Sequence, residues 1–136
     1  MNKKYEFLDG DKLYQERARL ALPYLVRQAK AEKPISYSDL AKEINMPNPR
    51  NLNMILGAIG DALNALGKAT KKNIPPIQSL VINKSQKLPG NGLSEFVEDF
   101  DKLNRKQKEK VVEKLLSDVY LFQDWDWVLK QFDLKP

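Results

Sequence analysis

The chain has 136 residues, 42% of them hydrophobic and 30% charged, which is enough apolar material for one core of ordinary size. It contains no cysteine and no histidine, which excludes disulfides, thiol nucleophiles, His-based catalytic triads and zinc sites built on His or Cys. The net charge of +5 is uneven: residues 1–92 carry 15 basic against 8 acidic side chains, and residues 93–136 carry 8 against 10.

Residues 1–10 form a polar lead ending in Asp9-Gly10, and Asp11 is placed to cap a helix. Leu13, Ala18, Leu20, Ala21, Leu22, Leu25, Val26 and Ala29 supply that helix with an apolar side. Pro23 lies inside it, so the expectation is a kink or two helices meeting. Lys33-Pro34 ends the element, because a residue before proline avoids the α region. Ser36 followed by Asp39 reads as a variant capping box, and Tyr37, Leu40, Ala41 and Ile44 then fall on one face of a short helix. Asn45-Met46-Pro47 breaks it, and Asn48-Pro49 starts another, with Asn as N-cap and Pro at the first helical position.

In this second helix Leu52, Ile55, Leu56, Ile59, Leu63 and Leu66 form an apolar stripe. Arg50, Asn51, Asn53, Met54, Gly57, Asp61 and Asn64 occupy the opposite side, and the helix is expected to end near Gly67. After a basic connector, Ile74–Gln78 contains two prolines and is expected to be non-helical. Leu80–Ile82 reads as a strand, and Asn83–Gly92 as a hairpin and turn. Leu93–Phe100 suits a short helix, Asn104–Tyr120 a charged amphipathic one, and Phe122, Trp125, Trp127, Val128 and Phe132 a final aromatic segment.

Three pieces of the middle occur in the order found in alkylguanine-DNA alkyltransferases and alkyltransferase-like proteins. Ile35–Ala41 resembles that family's stretch of aliphatic, Ser/Thr, Tyr, two variable residues, Leu and Ala. Asn48–Ile55 with Gly57-Ala58-Ile59 is similar to its recognition helix, and Ile74–Val81 to its active-site Ile-Pro-Cys-His-Arg-Val-Val. The resemblance covers about residues 24–92. It implies a mostly α, winged-helix-like fold in which a helix-turn-helix is joined to a small β-hairpin. An N-terminal helix and a C-terminal helical extension over 93–136 complete a single domain, 1–136.

The departures are as informative. Pro76 stands at the family's alkyl-accepting Cys, Ile77 at its His and Gln78 at its Arg. The reactive group of the family is a His-activated thiolate, so alkyl transfer by that route is excluded. The helix arginine that fills the gap left by a flipped base falls at Asn53, which is too short for that task, while the tyrosine that helps rotate the target phosphate is kept as Tyr37.

The candidate site residues are of types that hold nucleic acid. Tyr37 suits a phosphate contact at a helix start, or the edge of the core. Arg50, Asn51 and Asn53 suit base edges and phosphates, or a solvated capping cluster. Lys68, Lys71 and Lys72 in the connector, with Lys84 and Lys87 on the wing, suit phosphate neutralisation or ordinary loops. Pro75–Gln78 reads as a rigid turn, since none of its side chains has acid, base or nucleophilic power. Asp124 and Asp126, at i and i+2, do not face one target and read as solvated charges. The two tryptophans could stack bases, but core or interface use is the better reading.

No catalytic residue, metal site or cofactor is expected. No apolar run approaches the roughly 20 residues of a membrane helix, and Met1–Glu6 is not followed by the apolar stretch of a signal peptide. These features point to a cytoplasmic, non-enzymatic protein that binds duplex DNA through helix 48–66 and a basic wing. The alternative is a protein-binding module, such as a bacterial toxin-neutralising immunity protein or phage-conflict factor, with the C-terminal helix and its aromatic end as the partner surface.

Overall fold

In the computed structural model, which describes residues 10–85, 88 and 97–136, the chain is mostly helical. The helices are α1 (Leu13–Ala31), α2 (Tyr37–Glu43), α3 (Leu52–Thr70), α4 (Arg105–Leu121) and α5 (Trp125–Gln131). Short 3-10 turns span Pro49–Asn51, Ile77–Leu80 and Phe100–Lys102. Two strands of two residues, β1 (Ile35–Ser36) and β2 (Val81–Ile82), complete the architecture. No helix among the described residues is long and apolar enough to cross a membrane.

α1 is a single helix that runs through Pro23, not two helices meeting there. Its N-cap is Lys12 rather than Asp11, and the Gln15 side chain reaches back to accept from the Lys12 N–H at 3.1 Å. Its buried face, from Ala18 through Leu22, Leu25 and Val26 to Ala29, carries the helical period read from sequence. The helix closes with Glu32 in the left-handed region and the Lys33 N–H bonded to the Gln28 carbonyl, which satisfies one of the last free acceptors.

The two caps that open the next helices behave as their residue types require. Ser36 Oγ accepts from the Asp39 N–H at 3.2 Å, and Asn48 Oδ1 from the Arg50 N–H at 2.9 Å. The second start is first wound as a 3-10 turn before α3 begins. α3 does not stop at Gly67. It continues to Thr70 and closes with Lys71 left-handed (φ 56°) and the Lys72 N–H on the Gly67 carbonyl at 3.0 Å. Gly67 is needed for that closure: a Cβ there would lie 2.8 Å from the Lys72 carbonyl oxygen.

The strand read at the end of Leu80–Ile82 pairs with a segment distant in sequence. β2 lies parallel to β1, with Ile35 opposite Val81 and Ser36 opposite Ile82. The Leu80–Ile82 run is apolar and nearly all buried, so its pairing partner is the equally buried start of the first motif, not the polar segment that follows. The Asn83 N–H bonds the Leu88 carbonyl at 2.7 Å and closes a turn there. Most of the segment read as hairpin, Lys87 included, lies outside the described residues, as does most of the helix expected at 93–100; Phe100 itself opens a 3-10 turn.

The segment Ile77–Leu80, expected to be non-helical, is a 3-10 turn at the centre of the molecule. The two prolines before it set the entry direction, and the Ser79 Oγ and N–H both bond the Pro76 carbonyl, at 2.7 and 3.0 Å. The turn packs against α1, α3 and α4, and all four of its residues are buried. The C-terminal helices share the same core. Val119, Trp125, Val128, Leu129 and Phe132 join the α1–α3 cluster, while Leu88, Phe100 and Val112 form a second, adjoining one. Residues 97–136 therefore cover the front part of the chain instead of forming a free arm.

Candidate nucleic-acid interface

The candidate residues divide into two groups because α3 is long. From Arg50 to Lys71 the chain advances about 30 Å at 1.5 Å per helical residue. Arg50, Asn51 and Asn53 lie at the N-terminal end, and all three are exposed. Lys68, Lys71 and Lys72 lie at the opposite end. A single patch holding all six is thus ruled out.

At the N-terminal end, the Leu52–Ile55–Ile59 stripe locks α3 onto the core and turns the polar residues outward. Asn51 and Met54 meet the first turns of α1 across a groove of ≈ 280 Å³ that is also lined by Leu13 and Arg17. Met54 and Leu13 are each 58% exposed. Arg17 is a cation that sequence reasoning missed. It lies beside the buried stripe of α1, and only the packing of α1 against α3 reveals that it stands next to Asn51. It makes no ion pair among the described residues.

Tyr37 and Lys84 belong to this half as well. Tyr37 opens α2 and is half-buried against the core. It follows directly on Ser36, whose strand partner Ile82 precedes Asn83. Asn83 Oδ1 accepts from the N–H and Oγ–H of Ser85, at 2.9 and 2.7 Å, in a tight turn that presents Lys84 to solvent. α2 itself packs on both β2 and the turn Pro49–Asn51. Tyr37, Lys84 and the start of α3 are thereby held on adjoining elements.

Lys72 is committed elsewhere. Its ammonium lies 2.7 Å from the Asp124 carboxylate and 4.4 Å above the Trp127 ring, tying the end of α3 to α5. Asp126 pairs in the same way with Lys30 of α1. The two aspartates read as solvated charges are thus interhelix ties. Trp125 is buried, its Nε1–H donating to the Val119 carbonyl at 3.0 Å and its ring edge-on to Phe122.

The Pro75–Gln78 segment offers no reactive group. Ile77 is fully buried, and Gln78 is buried with its Oε1 left without a hydrogen-bond partner among the described residues. Two phenols have raised pKa values, Tyr24 from burial and then the Glu43 carboxylate, Tyr120 from burial and then Glu32. Both therefore stay protonated at neutral pH. Among the described residues, no three carboxylates converge as metal ligands. No family model, no curated protein and no solved structure matches the chain.

Proposed function

We propose that the chain is a non-enzymatic protein that binds duplex DNA, with a scaffold of the alkyltransferase-like winged-helix type whose described residues include a parallel strand pair and the Lys84 turn. The observation that carries the reading is the exposed start of α3. Asn53 projects from α3, and Arg50 and Asn51 from the 3-10 turn that leads into it, over a buried apolar stripe, with Arg17, which has no ion-pair partner among the described residues, beside them. Amide and guanidinium groups on a rigid helix end are suited to base edges and phosphates. Lys84, and Tyr37 at the head of α2, extend the surface toward the flanking backbone. The pairing of β1 with β2 supports the family reading too, because it brings the first and third resembling pieces side by side although 45 residues separate Ile35 from the aligned Val81.

A partner protein bound at the aromatic C-terminal end is the weaker reading. Of the aromatic side chains at that end, Trp125 and Phe132 are 2% and 4% exposed and Phe122 and Trp127 are half-buried against the core. Fluorescence anisotropy with a labelled duplex, titrated first at low salt and then at rising salt, tests the proposal. Binding that weakens linearly in log–log form is expected; no binding at low salt, where counterion release contributes most, contradicts it.

A further inference from the structure

At the far end of α3 lies an open cleft of ≈ 810 Å³ between the α3 terminus and the end of α4. Lys68 and Lys71 line it together with Ile74, Leu121 and Phe122. The remaining ions of the cleft are neutralised within the protein: Lys72 by Asp124 and Asp118 by Lys114. Lys68 and Lys71 have no carboxylate partner among the described residues. Lysines suit a helix C-terminus, but two of them at i and i+3 repel one another, and the cleft keeps two net positive charges. Beside them Leu121 is 70% exposed, the most exposed large hydrophobic side chain of the described residues.

Anionic groups and an apolar side chain are needed together to complement this lining. A bare phosphate would leave Leu121 uncovered. Phe122, the aromatic ring among the lining residues, already packs against Trp125 with ring centroids 4.6 Å apart, which favours an aliphatic group over a stacked base. Two neighbouring carboxylates would meet the ammonium groups of Lys68 and Lys71, with a large aliphatic side chain beside them to cover Leu121. We propose that this cleft is a second interaction site, separate from the DNA-binding end, that takes an acidic amphipathic helix of a partner protein.

The test uses the full chain and a short fluorescein-labelled peptide helix with Glu on one face and Leu on the other. A version with Gln for Glu, and inorganic phosphate, serve as competitors. K68E/K71E is compared with K106E/K110E, which makes the same change in net charge on exposed residues of α4. Saturable binding is expected, weakened about tenfold or more by K68E/K71E and less than about threefold by K106E/K110E. L121A is expected to weaken it about fivefold through lost apolar contact. Equal losses in the two double variants would reduce the effect to bulk charge and overturn the site. So would the absence of saturation, full competition by phosphate, or an unchanged affinity in L121A. Duplex affinity measured on the same variants separates the two surfaces: K68E/K71E is expected to lower it no more than K106E/K110E does, whatever the peptide does.

Discussion

Gln78 provides the sharpest test of how the centre of the fold is held together. It sits in the 3-10 turn between α1, α3 and α4, 7% exposed, and its Oε1 is buried with no donor within reach. An unsatisfied buried acceptor costs about 1–3 kcal/mol, whereas an apolar group of similar shape carries no such penalty. Methionine has nearly the length of glutamine and adapts to irregular packing. Gln78→Met is therefore predicted to stabilise the protein by about 1–2 kcal/mol, or roughly 4–8 °C in Tm for a domain of this size. Urea unfolding followed by tryptophan fluorescence measures it, with the slope m expected to stay constant. The complementary change, Gln78→Arg, restores the residue type of the resembling family and buries an unpaired charge, which is predicted to destabilise by about 3–5 kcal/mol. A Gln78→Met protein less stable than the parent, at constant m, would refute the reasoning, because the amide would then be making an interaction of net value.

Two glycines of α3 should respond with opposite signs. A Cβ on Gly57 meets no atom within 4 Å, so Gly57→Ala is predicted to add about 0.5–1 kcal/mol, while Gly67→Ala drives a Cβ against the Lys72 carbonyl at 2.8 Å and is predicted to lose about 1–3 kcal/mol; thermal unfolding of both variants checks the pair. Trp125→Phe removes the 3.0 Å bond to the Val119 carbonyl and part of a buried ring, with a predicted loss of about 1–3 kcal/mol by urea titration. Alkaline pH should unfold the protein in part through its phenols. Folded Tyr24 and Tyr120 titrate above the ordinary value of 10.0, so their contribution is present below that pH and is lost as pH rises through the folded values. Stability measured against pH should therefore fall more gently at the alkaline end in a Tyr24→Phe/Tyr120→Phe protein than in the parent.

Local chemistry made much of the helical frame legible. Ser36 and Asn48 each cap a helix start or its leading turn with the side chain expected of them, and the Leu52–Leu66 stripe is the buried face of α3. What could not be read depends on contacts distant in sequence. A strand of two residues carries no alternation, so Val81-Ile82 gave no sign that its partner was Ile35-Ser36 or that the pairing was parallel. Gly67 reads as a stop signal, yet its missing side chain serves to let the next turn fold back over the helix. The same holds for the candidate site. Its residue types were visible, but the length of α3 splits them between two ends. Arg17 enters only through helix packing, and Lys72 leaves because Asp124 and Trp127 claim it.

The claim that the start of α3 grips DNA is tested most directly by the salt dependence of duplex affinity in the parent, in Arg50→Ala and in Lys106→Ala. Arg50 is assigned to the interface and Lys106 to the exposed face of α4. The log–log slope should fall by about one unit in Arg50→Ala and stay at the parent value in Lys106→Ala. Equal slopes in all three proteins, or a loss confined to Lys106→Ala, would contradict the account.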